Sequence, residues 1–224
     1  LDPSHDKAAG LINIGLDYYD LRSVSPGSKD PLLLLAHQTF GEAGKVAESI
    51  GDRRTSSYAW GHLGKLYEEE RRYEEALQLT RRATFAAQQV NAPESLYRWE
   101  WQTGRLLKQV GTIDDAIGAY RRAVRTLQSI RPELSVSYGA PLTSFRETMG
   151  PAYFELVDLL LQRAASLKDR DQVGPYLIEA REAVELFKAA ELRDYFRDDC
   201  VDTALSKVTK LDVLAQTALV IYPI

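Results

Sequence analysis

The sequence has too few cysteines for an internal disulfide or a multi-cysteine zinc cage. Cys200 is its one cysteine, and both kinds of site need more than a single thiol. This usage suits a reducing compartment and predicts a cytoplasmic protein. The histidines His5, His37 and His62 are far apart in sequence and have no metal-ligand spacing. We therefore predict no metal site.

The sequence also lacks long apolar runs and an excess of positive charge. No apolar run approaches the roughly 18 residues needed to span a bilayer, and the opening residues LDPSHDKAAG have no charged-then-apolar signal pattern. The formal charge is −4 and the pI is near 5.5, so no global positive field attracts nucleic acid or an anionic membrane. We expect no membrane partner and do not expect nucleic acid, although RNA stacking on arginine and aromatic side chains remains an alternative.

What the chain does have is an internal repeat of 40 residues. Sets spaced by four and then three residues recur as Ala36, Phe40 and Ala43, as Ala76, Thr80 and Ala83, and as Ala116, Tyr120 and Ala123. Gly64 and Gly104 keep the same step. Spacings of four and three place side chains on one helical stripe, where small residues let two helices approach closely. The repeat predicts packed helix pairs.

Helical patterns continue on both sides of the central repeats. Upstream, the loop RSVSPGSKD separates a first helix from a second over about 31–50. Downstream, RPELSVSYGAPL interrupts the pattern, and Pro151 begins or kinks the next helix. A further long pair follows in AYFELVDLLLQRAASL and VGPYLIEAREAVELFKAAEL, before a short helix around 194–207.

The middle unit resembles the tetratricopeptide repeat. It matches the pattern W-x2-L-G-x2-Y and A-x6-A through Trp60, Leu63, Gly64, Tyr67, Ala76 and Ala83. It departs at Thr80, where a large residue is usual, and its period exceeds the typical length of about 34 residues, which longer helices would absorb. In the next unit, Glu100 stands where tryptophan is expected and Trp101 follows it. The resemblance implies an all-α, right-handed solenoid of antiparallel helix pairs over residues 1–210, with roughly four repeats.

The end of the chain resembles the junction before a CHAT domain, a caspase-like protease domain that tetratricopeptide repeats precede in that family. LFKAAELRDYFRDDC at 186–200 and ALVIYPI at 218–224 carry this resemblance. The β-branched and aromatic residues of the second segment predict a strand. We expect residues 211–224 to form a linker and the first strand of a missing CHAT-like domain.

No pattern in the chain predicts catalysis. Asp198 and Asp199 would disfavour a thiolate at Cys200. The acidic stretch that begins at Glu68 is interleaved with arginines, and spacings such as that of Glu68 and Arg72 predict a solvated, ion-paired helix face. The resemblance places the family's catalytic His and Cys in the missing domain. We therefore predict no enzymatic activity and no cofactor for this chain, whose parent would be a cysteine peptidase.

The first helices of successive repeats carry the predicted partner site, because they line the concave side of such a solenoid. The family's groove positions fall on Tyr58, Gly61, Lys65 and Glu68 in one unit and on Arg98, Trp101, Arg105 and Lys108 in the next. Three cations and an aromatic ring on one side of a helix suit an acidic peptide. In the alternative reading, Trp101 supplies the missing core tryptophan and the cations keep the helix soluble.

The leading functional prediction is protein–protein interaction. The chain would be the regulatory or substrate-recruiting arm of the protease and would bind a protein or peptide segment, or its own C-terminal protease domain. Tyr18, Tyr19 and Tyr58 either extend an apolar groove or belong to the core. An RNA-binding solenoid and a stand-alone enzyme are the alternatives.

Overall fold

The described part of the chain is built from helices. The computed structural model describes residues 2–24, 29–137 and 145–196. Within these ranges the helices are α1 His5–Val24, α2 Lys29–Ser49, α3 Arg53–Glu69, α4 Tyr73–Gln89, α5 Pro93–Val110, α6 Ile113–Ser137, α7 Phe145–Thr148, α8 Gly150–Ser166 and α9 Arg170–Phe196, and there is no strand. None of these helices combines the length and apolarity that a membrane span requires.

Consecutive helices pack as four pairs, α1–α2, α3–α4, α5–α6 and α8–α9, with the single turn α7 before the last pair. The two helices of a pair run in opposite directions, as the contacts between α1 and α2 show. Ala8 near the start of α1 clusters with Ala47 near the end of α2, and Gly15 lies against Phe40 further in. The predicted all-α architecture of antiparallel helix pairs is confirmed.

The central helices advance by a constant step. Helices α3, α4, α5 and α6 begin at residues 53, 73, 93 and 113. Two such steps reproduce the 40-residue period of the sequence. Because the turns at 70–72 and 90–92 are short, the helices contain the extra length relative to a typical tetratricopeptide repeat, as predicted.

Helices α2, α3 and α4 end with the same backbone arrangement. Asp52, Arg72 and Ala92 donate their N–H groups to the carbonyls of Ala47, Tyr67 and Ala87 at 2.9, 2.9 and 3.0 Å. The residue before each donor has positive φ: Gly51 at 72°, Arg71 at 59° and Asn91 at 46°. This is the Schellman C-cap, in which one left-handed residue ends a helix. Glycine and asparagine adopt that conformation readily, whereas arginine is strained in it.

A glycine in the first helix of each of the first three pairs faces a residue of the second helix. The pairs are Gly15 with Phe40, Gly64 with Thr80, and Gly104 with Tyr120. Thr80 is the smallest of the three partners, and the buried Gln102 fills the space beside it by donating Nε2–H to Thr80 Oγ1 at 2.7 Å. The departure from the family pattern at Thr80 is therefore compensated by a polar side chain of the next repeat.

Tryptophans join one helix pair to the next. Trp60 of α3 packs on Gly44 of α2, and Trp99 of α5 packs on Gly61 of α3. Both rings are buried, and Trp99 Nε1–H donates to Ser57 Oγ at 2.9 Å. A side chain at either glycine would overlap the ring, so these contacts fix how successive pairs stack.

Glu100 is buried at the position where the family has tryptophan. It accepts a hydrogen bond from Thr126 Oγ1 at 2.7 Å and lies 3.9 Å from the Arg122 guanidinium. Burial raises the pKa of Glu100 against the opposing effects of Thr126 and Arg122. The hydrogen-bonded carboxylate of Glu100 thus takes the place of the expected tryptophan ring, on the side of α5 that faces α6.

The structure corrects where the predicted interruption at RPELSVSYGAPL begins; residues 138–142 of that segment lie outside the described residues. Helix α6 continues to Ser137, past Pro132, because a proline removes one backbone donor while extending an existing helix needs no new nucleus. Pro151 lies in the first turn of α8, so it begins that helix. The predicted short helix at 194–207 merges into α9 up to Phe196. Residues 197–224, including Cys200 and the predicted strand, lie outside the described residues.

We expect Gly61→Ala to lower the free energy of unfolding by about 1–3 kcal/mol, because the new methyl group would overpack the Trp99 ring. Gly41→Ala is the matched control, since a Cβ at Gly41 of α2 meets nothing within 4 Å. We expect that control to be neutral or stabilising by up to about 1 kcal/mol. Chemical denaturation of both variants measures the difference, and equal stabilities would contradict the packing described here.

Arg71→Gly should be more stable than Arg71→Ala by about 1 kcal/mol, because only glycine adopts the left-handed conformation without a steric penalty. Both variants lose the same arginine side chain, so their comparison isolates the backbone at φ 59°. Thermal and chemical denaturation report the difference. An alanine variant as stable as the glycine variant would show that this turn is not strained.

Candidate protein-binding face

The first helices of the four pairs, α1, α3, α5 and α8, contact one another directly through side chains. We call their shared surface the first-helix face; its residues are Tyr19, Arg22, Tyr58, His62, Lys65, Glu68, Glu69, Arg98, Trp101, Arg105, Lys108, Glu155 and Asp158. Seven of the eight predicted groove positions belong to it, and the eighth, Gly61, does not. For α3 and α5 the shared surface follows from the constant helical step, which brings equivalent turns of these two helices side by side. Helices α1 and α8 join the face outside that step.

Helices α1 and α3 are joined at Glu69. Tyr19 OH donates to this carboxylate, and Arg22 lies 3.4 Å from it and 3.2 Å from Glu70. The Arg22 side chain is only 8 % exposed. Burial and the hydrogen bond to Glu69 raise the pKa of Tyr19. The Lys65 ammonium lies 4.6 Å from the centre of the Tyr19 ring, a cation–π contact.

Helices α3 and α5 are joined by a two-pronged ion pair. Arg105 Nε–H and Nη2–H donate to the two oxygens of Glu68 at 2.7 and 2.9 Å. Burial alone would lower the pKa of Arg105, but the hydrogen bonds and charge of Glu68 raise it. The Arg105 guanidinium also lies 5.0 Å from the Trp101 ring centre. Arg105 is therefore already held by a carboxylate and a ring of its own chain.

This ion pair corrects the predicted pairing of Glu68 with Arg72. Arg72, the N-cap residue of α4, instead donates to Glu75 of that helix at 2.6 Å. A pair on the surface of a single helix gives only a few tenths of a kcal/mol, whereas a partly buried, bidentate pair is stronger. Because α3 ends at Glu69 and the chain turns at 70–72, Glu68 and Arg72 are not one turn apart on a single helix, and Glu68 pairs with Arg105 of α5.

Helices α5 and α8 are joined at Glu155. Trp101 Nε1–H donates to its carboxylate at 2.8 Å and Tyr120 OH at 2.5 Å. Burial and this hydrogen bond raise the pKa of Tyr120. Nearby, Lys108 lies 3.4 Å from Asp158, with both side chains substantially exposed, so this pair is weak. Trp101 is half-buried and oriented by Glu155, whereas the buried tryptophan of this repeat is Trp99.

Four rings cluster in the middle of the face. His62 lies 5.6 Å from Phe40, 6.3 Å from Tyr58 and 5.5 Å from Trp99, measured between ring centres. The His62 and Tyr58 planes are 21° apart. Phe40 and Trp99 are buried, whereas Tyr58 and His62 are partly exposed. Tyr58 and His62 are therefore the accessible rings of this cluster, and Phe40 and Trp99 are its buried, apolar rings.

Burial lowers the pKa of His62 to about 4, and the positive charges of Arg98 and Lys65 contribute to the shift. The same Arg98 charge opposes the rise in the pKa of Tyr58 that burial causes. Both cations therefore act electrostatically on the imidazole. His62 stays neutral at physiological pH.

Lys65 and Arg98 differ from the other cations of the first-helix face. Arg22, Arg105 and Lys108 each have a carboxylate within 4 Å. Within the described ranges no carboxylate lies that close to Lys65 or Arg98; their close contacts are the Tyr19 and Tyr97 rings at 4.6 and 5.5 Å. Both side chains are exposed. These two charges are the ones that the face leaves without an anion.

Each histidine has different neighbours. His5 Nδ1 lies 2.6 Å from Asp52, and His37 Nε2 lies 2.9 Å from the Tyr67 hydroxyl, whereas His62 is surrounded by rings. Across the described residues, no group of three or more His, Cys, Asp or Glu side chains is arranged to hold a metal ion.

Sequence reasoning identified part of this surface and missed the rest. It predicted that groove residues of the Gly64 and Gly104 units share one face. It did not identify the acids Glu155 and Asp158, because they belong to α8, which lies beyond the regular period. His62 was considered only as a metal ligand, although its spacing of four from Tyr58 and three from Lys65 places it on the same stripe. Gly61, a predicted groove position, is covered by Trp99.

Comparison with known proteins finds similar solved structures but no matching family. No family model matches the chain, and no curated protein matches it. It is similar to the crystal structure of BtubC (BKLC) from P. vanneervenii, at 14% identity and a TM-score of 0.40, over 97% of this chain and 98% of that one. It is also similar to the DHF58 filament, at 17% identity, TM-score 0.39 and coverage of 85% and 100%. The de novo designed helical repeat protein DHR64 matches at 18% identity, TM-score 0.31 and coverage of 83% and 95%.

We predict that wild type loses stability relative to His62→Gln as the pH falls. The His62 pKa is about 4 in the folded chain against 6.5 ordinarily, so the stabilisation by the neutral ring is complete above about pH 6.5 and is lost as the pH falls toward 4. Between about pH 7.5 and 4.5 the relative loss should be about 2–3 kcal/mol. Urea denaturation of both proteins measures it; a pH-independent difference between them would contradict the assignment.

Proposed function

We propose that the chain is a protein-interaction scaffold that binds a peptide or protein segment along the first-helix face. The observation that carries this proposal is the direct contact between first helices of successive repeats, from Tyr19 and Glu69 to Trp101 and Glu155. These contacts make one continuous surface from four helices. An extended segment laid across it would meet side chains of several repeats in turn, which is how helical-repeat proteins bind.

The chemistry of the face favours binding over catalysis. Its carboxylates Glu68, Glu69 and Glu155 accept hydrogen bonds from neighbouring helices, so they hold the surface together. His62 has rings as its close neighbours, whereas a general base needs a hydroxyl, thiol or water within hydrogen-bond reach. Fixed rings and exposed cations are instead suited to recognising a ligand.

The more specific proposal is a regulatory or substrate-recruiting arm of a caspase-like protease. It is supported by the tetratricopeptide pattern around Trp60 and Gly64 and by the resemblance of 186–200 and 218–224 to the junction before a CHAT domain. The first-helix face would then bind a regulator, a substrate or the protease domain itself. Reading the encoding gene beyond Ile224 tests this role: a caspase-like domain with a His and Cys pair should follow, and its absence would exclude the role while leaving the scaffold proposal intact.

Selection of peptides from a random library tests the scaffold proposal. We expect selected peptides to bind the wild-type chain and to lose about tenfold or more in affinity for Trp101→Ala, because a half-buried ring that contacts a ligand is a typical binding hot spot. Calorimetry with the purified chain measures the change.

Phe85→Ala is the matched control, since Phe85 is an exposed aromatic residue of α4, 61 % accessible, on a second helix. Its substitution should leave the affinity unchanged. Peptides that depend on Phe85 but not on Trp101 would place recognition on another surface. Failure to select any peptide, together with salt-dependent retention of RNA, would favour the RNA-binding alternative.

A further inference from the structure

We propose that Lys65 and Arg98 form the anion-binding point of the first-helix face and take a side-chain carboxylate of an acidic peptide, with Tyr58 and His62 as the floor beneath it. This inference rests on the proposed scaffold function and names the chemistry of the partner. It also changes the site expected from sequence, because Arg105 is held by Glu68 in a bidentate pair and Lys108 has a weaker carboxylate partner in Asp158.

The difference between paired and unpaired cations is the first step of the argument. A peptide carboxylate that approached Arg105 would have to displace Glu68, whose two oxygens are bonded to that guanidinium. Lys65 and Arg98 need lose only water and a weak ring contact. A charge-assisted hydrogen bond to an otherwise unpaired cation is the stronger net interaction.

The position of the two cations is the second step. Lys65 lies on the same stripe of α3 as Tyr58 and His62, and Arg98 extends from α5. Both charges act on the His62 ring, which burial chiefly keeps neutral. The imidazole lies within ring-contact distance of the buried Phe40 and Trp99, and Trp99 follows Arg98 directly in α5. A carboxylate over His62 would be within the influence of both positive charges at once.

The other charges near this point do not neutralise it. Glu94 is the acid that acts on Tyr58, and it is bound to Arg54 at 2.5 Å. The α2 side of the cluster contributes the uncharged Phe40 ring, and α1 contributes the uncharged Tyr19 to Lys65. The two cations thus retain their attraction for an incoming anion.

The pKa of His62 provides a reporter inside the site. Because the two cations contribute to keeping it low, a bound carboxylate that offsets them should raise it. We expect a rise of about one unit on saturation with a blocked oligoglutamate peptide, followed by NMR of the imidazole Cε1–H over a pH titration. A blocked oligoglutamine peptide should leave the value unchanged.

Variants of the full chain identify which cations bind the peptide. We expect Lys65→Gln and Arg98→Gln each to weaken oligoglutamate binding by about 3- to 10-fold in calorimetry at low salt. Lys45→Gln and Arg81→Gln remove the same charge from exposed positions of α2 and α4 and should change the affinity by less than about 2-fold, because screening weakens a distant charge.

Three results would overturn the inference. Equal losses in the site and control variants would show that only net charge attracts the peptide. Equal binding of oligoglutamine would show that the carboxylate is not recognised. No binding of oligoglutamate, while library peptides still depend on Trp101, would exclude the acidic partner and keep the scaffold function; loss of the Trp101 dependence as well would reject the scaffold proposal itself.

Discussion

Close approach of helices at small residues is the constraint on which the rest of the structure depends. Gly61 lets the Trp99 ring lie against the α3 backbone, and Gly104 does the same for Tyr120 within the α5–α6 pair. Each contact joins a glycine to a large buried ring. A larger residue in place of the glycine would overlap the ring, and a smaller residue in place of the ring would leave a cavity. The apolar packing thereby sets both the distance between helices and their relative position along the axis.

The polar surface is a consequence of this packing. Once the first helices are fixed in register, Glu68 meets Arg105 and Trp101 meets Glu155 across helix boundaries. Charged side chains that find such partners become part of the scaffold. Lys65 and Arg98 find none among the described residues and remain available to a ligand. The distinction between structural and recognising cations thus depends on neighbours in space rather than on residue type.

Much of the fold was predictable from sequence because the signals were local and repeated. The recurring alanines and glycines predicted helix pairs, and short turns followed from the period. The ion pairs were less predictable, since the spacing of Glu68 and Arg72 suggests a pair within one region of chain while the stronger partner, Arg105, lies 37 residues away. The same limit applies to Glu100, whose burial is explained only by Thr126 and Arg122 of the neighbouring helix.

The tryptophan contacts also give the repeats a fixed order. Trp60 requires Gly44, but the position one period later is Thr84, and Glu100 stands where the next tryptophan would be. Trp99 requires Gly61, which lies three residues before Gly64, whereas the residue three before the equivalent Gly15 of α1 is Ile12. The helix-pair repeats are therefore not interchangeable. Exchanging units, or copying a single unit, would preserve the spacing of the helices but would disrupt the contacts between a tryptophan and a glycine.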